Sequence, residues 1–307
     1  MKKTEIRKDY IHDRFVLIVP SREKRPHDIP SPQERPVSSK NCPFCKTKFK
    51  KQKGIFTVKK NGDWKIKVVK NAYPIVTLDN IKAKGVHELV VETPKHNLEF
   101  GDFSLNHIVE VLKVFAQRTK VLSKIDDIKY IIIFKNNGGK AGASLVHAHS
   151  QILALSFLSP HIVNKLARAQ RYRIKNGTCY YCDLLKKEEK GPRKVYSDKN
   201  IVVFCPYAST YNYEIWMLPK KHIDNITYLS NEEYKSFAKA LKKIIQKLDK
   251  NQIPYNLYLH QAVTDREEHF YIRICPRKNV WGGVEVGSRL YVNTVSSEDA
   301  AKFYKKK

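Results

Sequence analysis

Apolar residues recur along the chain in two rhythms. Within residues 105–122, "LNHIVEVLKVFAQRTKVL" places Leu105, Ile108, Val109, Leu112, Phe115 and Ala116 at the spacing of one helix face, directly after Ser104. A second helical run, "YKSFAKALKKIIQKL", follows Ser230, with Glu233 three residues on, the pairing of a capping box. Other apolar stretches are short and rich in β-branched or aromatic residues. "KYIIIF", "QILAL", "NIVVFCP" and "EIWMLP" predict buried strands. Near residues 156–178, "LSPHIVNKLARAQRYRIKNG" predicts a connecting helix ending at Asn-Gly.

The polar residues between these elements repeat. The first half holds "CPFC" (Cys42, Cys45), then His96 in "ETPKHNLEF", then the strand-like "YIIIFKNN" and His147 in "HAHSQ". The second half holds "CYYC" (Cys179, Cys182), then His222 in "MLPKKHIDNI", then "NLYLHQAV" and His269 in "HFYIR". The order and approximate separations agree, and each half carries its long helix between its two histidines. Self-similarity of this kind marks a duplicated unit. It predicts two α+β halves, residues 1–160 and 161–307, each a sheet with a long helix packed on it.

Zinc is satisfied by four thiolate or imidazole ligands in a tetrahedron, and Cys-x-x-Cys supplies two of them from one turn. The repeat therefore predicts two sites, Cys42, Cys45, His96 and His147 in one, and Cys179, Cys182, His222 and His269 in the other. Four protein ligands leave no position for substrate, so both ions are expected to be structural.

Composition narrows the setting. The chain has 307 residues and is 42% hydrophobic, enough for two ordinary cores. Six cysteines, four of them in the two pairs, fit a reducing compartment better than a disulfide framework. The longest apolar run near the N-terminus, Phe15 to Val19, is too short for a signal-peptide core, and no run approaches a membrane span. A soluble, cytoplasmic protein is expected. The net charge of +28 raises a second class of function, a zinc-stabilised nucleic-acid-binding protein, because basic surfaces attract polynucleotides. Its lysines are scattered rather than clustered, which fits a solvated surface and also draws in anionic small molecules.

The densest chemistry lies in "NNGGKAGASLVHAHSQIL", residues 136–153. On a strand, side chains return to the same face every second residue, so His149 and Gln151 share the side of His147. With His147 committed to metal, His149 is available as a nucleophile toward phosphorus. The amides of Gly138, Gly139, Gly142 and Ala143, with the Ser144 hydroxyl, can cradle phosphate oxygens, and Gln151 can donate to the transferring group.

This segment resembles the active-site motif of the galactose-1-phosphate uridylyltransferase family of the histidine-triad superfamily, which runs Asn-x-Gly-x-x-x-Gly-x-Ser-x-x-His-x-His-x-Gln. Asn136, Gly138, Gly142, Ser144, His147, His149 and Gln151 match in place. "VPSREKRP" resembles the family's N-terminal phosphate-binding segment, which implies roles for Arg22 and Arg25. "VVKNAYPIV" resembles its Asn-x-Phe/Tyr-Pro motif at Asn71, and "GGVEVGSRLYVN" its C-terminal Gly-x-Glu segment at Gly283 and Glu285. The resemblance implies two tandem histidine-triad-like repeats, each an antiparallel sheet with a packed long helix. It also implies a homodimer and ping-pong nucleotidyl transfer through His149, from UDP-glucose to galactose 1-phosphate. Ala72 replaces a frequent Asp, Arg289 replaces a small residue, and the C-terminal segment is closer to plant ADP-glucose phosphorylases, which implies adenylyl transfer to phosphate as the alternative. In the second half, Tyr271 and Arg273 occupy the places of His149 and Gln151, so one reactive centre per pair of repeats is expected.

Overall fold

The computed structural model describes residues 3–24, 39–263 and 268–306. Its strands are β1 (Glu5–Lys8), β2 (Phe15–Ile18), β3 (Phe56–Lys60), β4 (Asp63–Lys70), β5 (Gly85–Val91), β6 (Tyr130–Asn137), β7 (His149–Leu155), β8 (Lys194–Ser197), β9 (Ile201–Phe204), β10 (Ile215–Pro219), β11 (Tyr255–His260), β12 (Tyr271–Pro276) and β13 (Tyr291–Asn293). Its helices are α1 (Thr47–Lys51), α2 (Leu105–Leu122), α3 (Pro160–Asn176), α4 (Tyr180–Lys190), α5 (Asn231–Lys250), α6 (Gly283–Ser288) and α7 (Ser297–Lys305). Among the described residues, ten strands form one sheet in the order β3-β4-β5-β7-β6-β11-β12-β10-β9-β8. Strands β1, β2 and β13 form a small second sheet.

Every neighbouring pair in the large sheet is antiparallel. Read inward from either edge, its strands follow the same local order, so the predicted repeat is a pseudo-two-fold about the β6–β11 seam. The α+β expectation is met, an antiparallel array with a long helix in each half. The halves are joined edge to edge, Asn136 opposite Asn256 and Phe134 opposite Tyr258, which pairs backbone groups that two separate sheets would leave unpaired.

The predicted elements form where their patterns place them. "KYIIIF" and "QILAL" lie in β6 and β7, while "NIVVFCP" and "EIWMLP" supply β9 and β10. The Ser104 side chain accepts the His107 N–H, and Ser230 and Glu233 form the reciprocal capping box. α3 stops at Gly177, whose φ of 71° is the left-handed turn that glycine adopts without a Cβ clash. Leu105, predicted on the apolar face of α2, is 45% exposed, while Val111 and Val114 are buried. The buried arc is shifted because α2 packs on α5 as well as on the sheet.

Alternation along the strands sorts the faces. Ile131, Ile133, Ile152, Ala154, Leu257, Leu259, Ile272 and Ile274 share one core with α2 and α5. The opposite face carries a smaller core under each cysteine pair. Phe44 and Phe49 pack with Val69 and Val91 in the first half, and Tyr181, Leu184 and Leu185 pack with Phe204 and Trp216 in the second. On that face Gln151, Phe134, Asn136 and Asn256 are half-buried, an open stretch near the seam. Among the described residues, no helix is long and apolar enough to cross a membrane.

A charged network lies on the helix side of β6 and β7. Lys135, 1% exposed, pairs with Glu92 at 3.0 Å and Glu99 at 2.9 Å, and Ser150 donates to the other Glu92 oxygen at 2.5 Å. The Lys135 ammonium also lies 3.4 Å from the carbonyl oxygen of His149. Buried charges of this kind are satisfied mutually, so removing one strands the others. Lys135→Met is expected to cost about 3–5 kcal/mol in a urea titration. A loss within experimental error of zero would show that the carboxylates do not depend on this lysine.

Candidate active site and two cysteine–histidine clusters

The first cluster is built by a turn, a loop and the approach to β7. The Cys45 N–H donates to the Cys42 carbonyl and closes the Cys-Pro-Phe-Cys turn. Buried Lys67 of β4 donates to the carbonyls of Phe49, Lys50 and Gln52, fixing the end of α1 behind it. Thr93 accepts the His147 Nε2–H at 2.7 Å, which leaves the Nδ1 lone pair directed at the sulfurs. Nδ1 lies 3.6 Å from Cys42 Sγ and 3.4 Å from Cys45 Sγ. His96 Nδ1 lies 3.5 Å from Cys45 Sγ and 3.4 Å from His147 Nδ1. A tetrahedron with ordinary zinc–sulfur and zinc–nitrogen bonds has S···N edges of about 3.6 Å and N···N edges of about 3.3 Å. The four side chains therefore fit the ion that the sequence implied.

The second cluster joins Cys179, Cys182 and His222, whose ligand atoms all lie within 4.8 Å of one another. Cys182 Sγ is 3.4 Å from His222 Nδ1. The hydrogen bond between the two thiols lowers Cys179 and raises Cys182, so the pair favours a single thiolate, which metals bind. His269, the fourth expected ligand, stands beside this group rather than within it. Its Nδ1–H donates to the Phe270 carbonyl at 2.9 Å, and its ring meets that of His222 edge-on with centroids 5.1 Å apart. Among the described residues its buried Nε2 has no hydrogen-bond partner, a costly state that coordination would relieve.

His149 opens β7 and is 8% exposed. The ring of Phe44 touches both histidines, with centroids 5.6 Å from each, so His147 and His149 share one side as the alternation requires. The His149 Nδ1–H donates to the His147 carbonyl at 2.8 Å, which places the remaining lone pair on Nε2. Burial, assisted by the nearby Lys135 charge, holds this imidazole below its ordinary range and keeps it neutral at pH 7. Among the described residues no protein group hydrogen-bonds to Nε2. It is a neutral nitrogen with an available lone pair and a fixed tautomer, which is the chemistry that nucleophilic attack requires.

Gly138 (φ 84°) and Gly142 (φ 81°) adopt backbone conformations that side chains disfavour, and between them the chain makes a tight 3-10 turn. Asn136 at the end of β6 accepts from Asn256 of β11 at 2.8 Å. The same Asn256 amide donates to the Ala141 carbonyl at 2.7 Å, tying the glycine turn to the neighbouring repeat. Ser144 is exposed just before the histidines. Asn256 was missed in the sequence; its signal was its place opposite Asn136 across the seam.

Gln151 follows two residues after His149, and its side-chain oxygen lies 2.9 Å from His87 Nε2. Asn71, the residue after β4, lays its amide over the His87 ring, its nitrogen 3.3 and 3.2 Å from the two ring nitrogens. His87 was also missed, although it shares with Glu88 the polar positions of an otherwise apolar "GVHELVV" and lies on the face of Leu89 and Val91.

The remaining expected residues lie elsewhere. Arg22 is exposed on the turn Pro20–Lys24, and no side-chain hydrogen bond joins it to His149 or Gln151 among the described residues; Arg25 lies outside the described residues. Glu285 accepts the N–H groups of Gly282 and Val292, capping α6, which begins at Gly283. Arg289 ends that helix with φ 55°, a left-handed position that favours glycine.

The corresponding place in the second half is filled. Tyr271 is 1% exposed, stacked on Trp216 at 4.7 Å, and its hydroxyl accepts from buried Lys165 at 2.9 Å. Arg273 is paired with Glu214 at 2.7 Å. Both side chains are buried and engaged with neighbours, and neither offers a neutral imidazole nitrogen like His149 Nε2.

Residues 11–159 match the sequence model of the galactose-1-phosphate uridyl transferase N-terminal domain, and residues 165–298 match that of its C-terminal domain. An ADP-glucose phosphorylase of Arabidopsis thaliana is 32% identical over 97% of this chain and 91% of its own. A galactose-1-phosphate uridylyltransferase of Thermotoga maritima is 30% identical over 97% and 96%. The crystal structure of the Arabidopsis enzyme with bound ADP-glucose superposes with a TM-score of 0.87 at 29% identity, covering 99% of both chains. The chain belongs to the galactose-1-phosphate uridyl transferase family across both of that family's domains.

Proposed function

We propose that this chain is a nucleotidyltransferase that passes a nucleoside monophosphate from a sugar nucleotide to a phosphate-bearing acceptor through His149. The observation that carries this reading is the fixed tautomer of His149, with Nδ1–H committed to the His147 carbonyl and the lone pair on Nε2. Nε2 attacks the α-phosphorus, a P–N bond forms, and the P–O bond to the departing sugar 1-phosphate breaks. In the second half-reaction an acceptor phosphate oxygen attacks the same phosphorus and the P–N bond breaks. Each displacement develops charge on the phosphoryl oxygens, which the Gln151 amide is suited to receive; the N–H groups of Ala141, Gly142 and Ala143 donate instead to the carbonyls of Gly138 and Gly139 and hold the turn's shape. Asn71, Asn136, Ser144 and Arg22 are the further side chains assigned to substrate, with Arg25 on sequence grounds.

The family name favours UDP-glucose as donor and galactose 1-phosphate as acceptor. The similarity to the Arabidopsis phosphorylase favours a second reading, ADP-glucose as donor and inorganic phosphate as acceptor. Both use the same nucleophile. Zinc in both clusters would act structurally. The first ion would hold His147 through its ring and so fix the carbonyl that orients His149; the second, with His269 as its fourth ligand, would brace the companion repeat. A homodimer is proposed on the family resemblance and on the exposed Val280, Val284 and Val286 around α6, which a partner would cover.

Incubation with α-phosphate-labelled UDP-glucose or ADP-glucose is expected to leave acid-labile label on the wild-type protein, and the better donor identifies the base. His149→Ala is expected to abolish labelling and slow exchange by about a thousandfold or more. Undiminished label in that variant would exclude His149 as nucleophile. Elemental analysis is expected to give two zinc ions per chain, with His269→Ala binding the second at least about tenfold more weakly. Retention of both ions at wild-type affinity would remove His269 from the ligand set.

A further inference from the structure

The hydrogen bonds of His87 leave one arrangement of its protons. The backbone N–H of Ile75 points at His87 Nδ1, 3.2 Å away, and a backbone amide can only donate. Nδ1 must therefore be the unprotonated nitrogen, and the proton of the neutral ring is on Nε2. That N–H faces the Gln151 side chain at 2.9 Å, so the Gln151 atom receiving it is the carbonyl oxygen. The Gln151 NH2 group is thereby turned away from His87, and among the described residues it has no protein acceptor.

Sheet register places this contact beside the reacting nitrogen. Gln151 is opposite Leu89 and His149 is opposite Val91, so His87 is the diagonal neighbour of Gln151 on the face that carries His149. The second repeat has the same diagonal. Arg273 is opposite Trp216, and Glu214, two residues before Trp216, pairs with the Arg273 side chain at 2.7 Å. The fold thus uses this position in both halves to hold the side chain two places after the triad's central residue. In the second half the partner is a carboxylate holding a cation. In the first it is a neutral N–H donor holding an amide oxygen.

Resting on the nucleotidyl-transfer reading, we infer that His87 is a positioning residue: its Nε2–H fixes the Gln151 oxygen and thereby presents the Gln151 N–H to the phosphoryl group at His149. Asn71 and Ile75 in turn fix the His87 ring. Without His87 the Gln151 amide can rotate about its last bond and offer its oxygen, an acceptor, to an anionic group. His87 touches neither substrate nor the attacking nitrogen in this account, so its effect must vanish when Gln151 is absent.

A double-mutant cycle tests this with His87→Phe, which keeps ring bulk and loses the donor, and Gln151→Ala. His87→Phe is expected to lower kcat about 10- to 100-fold with KM changed less than about threefold. In the Gln151→Ala background the same change is expected to cost less than about twofold, and His87→Gln, which retains an N–H donor, is expected to recover part of the loss. Losses that multiply in the double variant, or a His87→Phe enzyme within about twofold of wild type, would overturn the inference. Nitrogen-15 histidine NMR on the wild type decides independently of any variant's folding: His87 is expected as the Nε2–H tautomer, and finding Nδ1–H would overturn the assignment. Failure of the wild type to accept label from any sugar nucleotide would instead remove the nucleotidyl-transfer reading, leaving the tautomer measurement to judge the hydrogen bond by itself.

Discussion

The site depends on His147 being held at two points at once. Its ring is tied by Nε2–H to the Thr93 carbonyl and turns Nδ1 toward Cys42, Cys45 and His96. Its own carbonyl accepts the Nδ1–H of His149 and so decides which nitrogen of that histidine carries the lone pair. A displacement of His147 would be felt at both places. A bound ion would therefore contribute to chemistry without meeting the substrate, by stiffening the peptide that fixes the nucleophile's tautomer. The buried Lys135–Glu92–Ser150 network supports the same strand from the opposite face of the sheet.

On the nucleotidyl-transfer reading, duplication explains why a chain of this length needs only one reactive centre. Both repeats keep a cysteine-rich turn, a long helix on the common core and a diagonal partner for the side chain that ends the triad. The second repeat replaces an imidazole by Tyr271 and an amide by Arg273, and the space is packed with Trp216, Lys165 and Glu214. Once chemistry was confined to one half, the other could be filled for stability. It still serves the reactive half through Asn256, which reaches across the seam to hold Asn136 and the glycine turn.

Much of this was legible in the sequence because it is local. Helices α2 and α5 announce themselves by spacing and caps, strands β6, β7, β9 and β10 by apolar runs, and both cysteine pairs by their own periodicity. The motif Asn136 to Gln151 and its family resemblance were sufficient to propose His149 as the nucleophile. What escaped was set by pairing between distant segments. An unpaired strand edge reads the same whether it meets solvent or another strand, so the fusion at β6–β11 left no pattern. His87 and Asn256 look like ordinary polar interruptions until register brings them beside Gln151 and Asn136. For His269, spacing does not say which nitrogen is left for a metal; the bond from Nδ1 to the Phe270 carbonyl leaves Nε2 for that role.

The central claim is that one nitrogen of one histidine carries the nucleotide. Its most direct test is phosphorus–nitrogen correlation NMR on the nucleotidyl-enzyme trapped from a sugar nucleotide in nitrogen-15 histidine-labelled protein. The expected result is a single P–N coupling assigned to Nε2 of His149, with Nδ1 still protonated. A coupling to Nδ1, to another histidine, or no P–N bond in a protein that nevertheless carries the nucleotide, would contradict it.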